Sequence, residues 1–264
     1  MESQKPKIAM YVKRPFGEKL NASFDFLKEN WKLLLKFITY LLLPLCLIQA
    51  LSLNGLMSGA LSISAIASST AMAASSSSLI AFGSYYGLYM FLYLIGIILL
   101  TSLVYGLIRT YNEREERLQG VTLGMLKPRL FRNIKRLLLM TGACILLVLF
   151  VGIFVGLLVA LTPFTLFLTI PFIIAFSVPL ALLAPIYLFE DITLMEAFKK
   201  TFRLGFATWG GVFVVSFLMG IIANVLQGVT MMPWYIATVA KCFFAMSDVG
   251  GSGEVTVSAG YSFF

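Results

Sequence analysis

Three stretches without a single Asp, Glu, Lys or Arg constrain this chain more than any other feature: Phe37 to Ile108, Leu137 to Phe189 and Leu204 to Ala240, of 72, 53 and 37 residues. A soluble fold needs charge along its surface at shorter intervals than these. A helix rises about 1.5 Å per residue and the hydrocarbon core of a bilayer is about 30 Å thick, so one crossing takes about 20 residues. The first two blocks are each long enough to cross twice, and the third once. Composition agrees, with 59% hydrophobic residues, 12% charged residues and a mean hydropathy of +0.93. Such values do not fit a water-soluble surface.

The expected fold is therefore all-α, a polytopic transmembrane helical bundle with spans at about 33–53, 79–108, 137–161, 164–189 and 209–227. Residues 1–32 form a cytoplasmic N-terminal segment and 33–264 the bundle. The Ser/Ala/Gly-rich stretch Asn54 to Ser78 is expected as an external loop or a poorly packed helix. Thr162 and Pro163 make a tight turn between spans three and four. Met232-Pro233-Trp234-Tyr235 reads as an interfacial turn with an aromatic anchor after span five. Ser247 to Gly260 is polar, and Tyr261 to Phe264 read as the first residues of a sixth span, which points to a truncated chain. The strand-like alternation of Glu254 to Phe264 does not indicate an outer-membrane barrel, because long helical spans exclude one.

Nineteen of the twenty Lys and Arg residues fall on one side of this layout: eight up to Lys36, eight from Arg109 to Arg136, and Lys199, Lys200 and Arg203. Only Lys241 falls opposite. Short loops rich in Lys and Arg stay in the cytoplasm, so the N-terminus is expected inside. The net charge of +8 thus belongs to membrane flanks rather than to a nucleic-acid interface.

Each basic segment carries helical periodicity before a span. Phe16, Leu20, Phe24, Leu27 and Trp31 share one face. Leu123, Leu126, Leu130, Ile134 and Leu137 share another, with Pro128 beginning or kinking that helix. The third stretch starts at Thr193, whose spacing to Glu196 fits a capping box; it carries Met195, Phe198 and Phe202, and Gly205 ends it. These are expected to be cytoplasmic interfacial helices that favour anionic headgroups or dock a partner.

The chain contains no His, the commonest general base and metal ligand. Cys46, Cys144 and Cys242 are far apart and lack metal or redox spacing. Neither a cofactor nor a metal is expected. Four residues are substrate-path candidates. Glu190 and Asp191 are paired carboxylates at a membrane boundary, able to bind a cation or simply to end a helix there. Asn224 and Gln227 lie three apart in span five, where they line a path or bond to a neighbouring helix. Pro171, Pro179 and Pro185 interrupt span four, as in broken transporter helices, or kink it. Gly152-x-x-x-Gly156 is read as packing.

The segment Ala184 to Gly205 has a span ending in Glu190, then an amphipathic helix with Ala197 and Thr201 one turn apart, and Trp209-Gly210-Gly211 opening the next span. With Arg14-Pro15-Phe16-Gly17, Phe24 to Trp31 and Pro44, this resembles uncharacterised six-helix bacterial inner-membrane proteins related to the membrane domain of glycerophosphodiester phosphodiesterases. The resemblance implies a bacterial inner-membrane location. It does not extend to phosphodiester activity, because no soluble phosphodiesterase domain accompanies these spans. The expected role is a non-catalytic scaffold or assembly component. The alternative is a subunit of a transporter or channel for a small or lipid-like substrate, and an enzyme acting on lipid headgroups ranks third.

Overall fold

The computed structural model describes residues 7–9, 12, 14–67, 75–162 and 164–248. Every regular element among them is a helix: α1 (Phe16–Ala67), α2 (Ser75–Glu113), α3 (Leu123–Leu161), α4 (Thr165–Leu180), α5 (Leu183–Glu190), α6 (Leu194–Ala207) and α7 (Trp209–Asp248). Five stretches are long and apolar enough to cross a membrane, α4 and α5 together forming one of them. The exposed surface requires that environment. In α3, Leu146, Phe150, Ile153, Phe154 and Leu157 are all more than half exposed, an arrangement that lipid accepts and water does not. The chain is an integral, multi-pass membrane protein of helical type.

Two compact units are present, one formed by residues 1–43 and 95–216 and the other by 44–94 and 217–264. The first holds the best-packed core. Leu34 and Phe37 of α1 meet Leu103, Leu107 and Tyr111 of α2 and Leu126 and Leu130 of α3, with Leu118 and Val121 of the connecting turn. Two buried polar side chains there bond to backbone carbonyls. Ser102 Oγ donates to the Leu130 carbonyl at 3.0 Å, and Asn30 Nδ2 to the Phe26 carbonyl at 3.0 Å, as burial requires. In the second unit α1 and α2 touch at Gly55, where a Cβ would lie 2.6 Å from the Tyr85 ring. A side chain at this position would have to displace that ring.

The helices sharpen several local expectations. The boundary expected at 32/33 lies inside an unbroken α1, since nothing between Trp31 and Leu35 disfavours helix and Pro44 is also accommodated. The buried face of α1 is Phe26, Asn30, Leu34 and Phe37, whereas Phe16, Phe24, Leu27 and Trp31 stay exposed. Pro128 lies within α3, which starts at Leu123 after Thr122. Of the two alternatives for 54–78, loop or helix, helix is found in the described parts, up to Ala67 and from Ser75.

The Met232–Tyr235 turn is not formed, because α7 passes through Pro233. A proline inside a membrane helix leaves one carbonyl without its donor, whereas a turn there would strand several. Likewise α6 continues past Gly205 to Ala207. The residues expected to begin a sixth span, Tyr261 to Phe264, lie outside the described set.

Span four is broken between Leu180 and Leu183, in the turn before Pro185, which has no N–H to give the Ala181 carbonyl. Its ring would clash with the carbonyl four residues earlier, at Ala181, and α4 and α5 separate there. The break is closed by backbone bonds, Leu182 N–H to the Pro179 carbonyl at 2.9 Å and Ile186 N–H to the Leu182 carbonyl at 3.1 Å. Helix α6 packs over this break with a stripe of small residues, Ala197, Thr201 and Gly205, all buried. A Cβ on Gly205 would stand 2.5 Å from Pro179 Cβ and 2.7 Å from its Cα. Phe176 adds edge-to-face contacts to Phe202 and Phe206.

Candidate functional site: an arginine–carboxylate cluster

The first unit gathers its charges where α2 ends, α3 begins and α5 turns into α6. Helix α5 stops at Glu190, and Asp191 takes the left-handed conformation, φ 53° and ψ 26°. Asp is among the few non-glycine residues that tolerate it. The turn that follows leads to Thr193, whose hydroxyl accepts from Glu196 N–H while the Glu196 carboxylate accepts from Thr193 N–H. That is the expected capping box. Hydrogen bonding of its carboxylate to the Thr193 side chain and to the Thr193 backbone N–H holds the Glu196 carboxyl below the ordinary glutamate value.

Asp191 accepts from three arginines. Arg109 Nη2 reaches Oδ2 at 3.0 Å, Arg136 Nη1 reaches Oδ1 at 2.7 Å, and Arg132 Nη2 lies 3.1 and 3.2 Å from the two oxygens. Arg136 also donates to the Ile192 carbonyl at 2.7 Å and sits 4.2 Å over the Tyr187 ring, a cation–π contact. Arg109 Nη1 lies 3.4 Å from the Leu188 carbonyl, placing positive charge at the negative end of α5. Burial alone raises the Asp191 carboxyl, but the Arg109 hydrogen bond and the charges of Arg109, Arg132 and Arg136 outweigh it and hold it below the ordinary aspartate value.

The cluster continues along α2. Glu113 accepts from Arg109 Nε at 3.0 Å and from Arg129, and Arg129 Nη1 also donates to Thr110 Oγ1 at 3.2 Å. A second pairing joins α1 to the turn after α2: Glu29 accepts from Arg117 Nη1 at 2.7 Å and from the Tyr111 hydroxyl at 3.2 Å. Glu190 pairs with Lys200 at 2.6 Å.

The four residues singled out in the sequence separate into two groups. Glu190 and Asp191 are adjacent, yet each faces its own cationic partner rather than a shared vacancy. Asp191, kept anionic and saturated with donors, is a poor general base. Asn224 and Gln227 are exposed on α7 in the second unit, and Asn224 Nδ2 donates to the Gly220 carbonyl at 2.8 Å. Among the described residues no group of three His, Cys, Asp or Glu side chains is placed to hold a metal ion. The arginines were legible in the sequence only as topological charge. Their spacing was the further signal: Arg129, Arg132 and Arg136 share a face of α3, and Arg109 stands one turn before Glu113.

What this arrangement does physically is clamp. One carboxylate joins α2, α3 and the α5–α6 corner, and the six groups Arg109, Arg129, Arg132, Arg136, Glu113 and Asp191 leave two net positive charges. No family model, curated protein or solved structure matches this chain.

Proposed function

We propose that the protein is a non-catalytic scaffold or assembly component of a bacterial inner membrane, with its N-terminus and its arginine cluster in the cytoplasm. The observation that carries this reading is Asp191 accepting from Arg109, Arg132 and Arg136. The carboxylates that would otherwise serve acid–base or cation chemistry are consumed in holding three helices at fixed positions. The remaining positive charge suits anionic headgroups. Kinship with the six-helix bacterial proteins is part of the same proposal, and the corner Ala184 to Gly205 that carries the likeness is the one the cluster clamps.

Asn224 and Gln227 support a partner. Amide side chains exposed at bilayer depth favour a neighbouring helix that can bond to them. Purification in a mild detergent, followed by mass spectrometry of the intact assembly, should give a complex of fixed stoichiometry with another membrane protein or a second copy. Replacing both Asn224 and Gln227 by Leu should release it, and a lone monomer before and after the change would overturn the scaffold reading. The same two residues, with the break between α4 and α5, support the alternative of a transport subunit. Solute flux into liposomes that is lost in the double Leu variant would favour that alternative.

A further inference from the structure

The first unit contains a cavity of about 590 Å³ between the N-terminal halves of α1 and the end of α2, within the size range of small-molecule sites. Its walls change character along their length. Leu34 and Ile38 of α1 and Val104 and Ile108 of α2 make an apolar floor, whereas Arg14 and Lys19 stand at the other end. Among the described residues no carboxylate lines it. Neither Arg14 nor Lys19 forms an ion pair among the described residues. The nearby Glu29 is already taken by Arg117.

The chain closes one side of this cavity deliberately. Lys7 Nζ donates to the carbonyls of Asn112 and Arg114 at 2.7 and 3.1 Å, and Ile8 N–H to the Tyr111 hydroxyl at 3.4 Å. These bonds hold Ile8, Ala9 and Val12 as part of its lining. On the outer side, Phe24, Leu27 and Trp31 are 44 to 55% exposed, and Leu27 is also part of the wall. Aromatic and aliphatic groups of this kind sit at the headgroup boundary. From Phe26 to Ile38 the apolar wall runs about 18 Å along α1, close to the depth of one leaflet's hydrocarbon, about 15 Å.

From this we infer that the cavity is a binding site for one anionic phospholipid, its acyl chain along Leu34, Ile38, Val104 and Ile108 and its phosphate between Arg14 and Lys19. An apolar floor suits a tail, and two cations in a lining without a described carboxylate, neither of them in an ion pair among the described residues, suit a negative head. This deepens the proposed attraction to anionic headgroups, but it does not depend on which side of the membrane is cytoplasmic, because the test uses symmetric bilayers.

The full-length protein is placed in phosphatidylcholine nanodiscs containing a trace of phosphatidylglycerol with a diazirine on its acyl chain, irradiated, and mapped by peptide mass spectrometry. Labelling should concentrate on 22–38 and 104–112. Unlabelled phosphatidylglycerol should compete, while extra phosphatidylcholine and inorganic phosphate should not. The Arg14→Gln/Lys19→Gln variant, altered at sites that carry no ion pair among the described residues, should bind roughly thirtyfold more weakly. Ala22→Trp, which puts a ring into the cavity, should abolish the label, with thermal unfolding confirming that the variant is folded. Labelling spread evenly over the lipid-facing helices, or equal competition by phosphatidylcholine, would overturn the site. Loss of the phosphatidylglycerol effect with an intact partner complex would refute this inference alone.

Discussion

Asp191 has two separable duties, a charge held by three arginines and a backbone held at φ 53°. Asp191→Asn keeps the left-handed preference and removes the charge, so its effect isolates the cluster. Hydrogen bonds to charged groups contribute about 1.5–3 kcal/mol. The carboxylate is 36% exposed, and solvent screening reduces that to about 1–2 kcal/mol. The expected result is a lower thermal midpoint in detergent, while Asp191→Ala should lose about a further 1 kcal/mol through backbone strain. Because the folded-state pKa is below the ordinary 3.8, the stabilisation is complete above that value and is lost as pH falls below it through the lowered pKa. Unfolding midpoints measured from pH 7 down to pH 3 should therefore drop more steeply for the parent than for Asp191→Asn. Parallel curves would refute the linkage.

Helix α6 shows how a short amphipathic element is placed by size rather than by hydrophobicity. Of the face expected to matter, Phe198 packs against the Leu183, Tyr187 and Ala197 cluster and Phe202 against Phe176, but Met195 is 67% exposed and the closest approach is made by Ala197, Thr201 and Gly205. The small stripe lets α6 lie against Pro179 at the break of span four, and the aromatic rings flank it. Gly205→Ala would force its Cβ onto the Pro179 ring and backbone, which cannot yield as a flexible side chain would. A loss of about 1–3 kcal/mol is expected, read as a lower thermal midpoint in detergent. An unchanged midpoint would show that α6 is not held by this contact. The capping box was readable beforehand because its two residues are three apart; the Pro179–Gly205 approach was not, since it joins residues from different helices.

At the scale of the whole molecule the proposed orientation rests on the distribution of the basic residues. Phe164, at the turn between α3 and α4, is 89% exposed and should lie outside, with Lys127 near the start of α3 inside. In a background lacking the three native cysteines, Phe164→Cys should react with an impermeant maleimide on intact cells, and Lys127→Cys only after lysis. The reverse pattern would invert the proposed orientation. The number and rough position of the spans were determined by the sequence alone, because crossing a bilayer depends on a local property, about 20 apolar residues in succession. Only the tertiary structure decided which charges meet: Arg109 and Asp191 lie 82 positions apart, and Glu29 and Arg117 lie 88 apart. Their pairing depends on the register between packed helices. Charge-free blocks say where the chain enters and leaves the membrane, but not how its helices are rotated and shifted against one another.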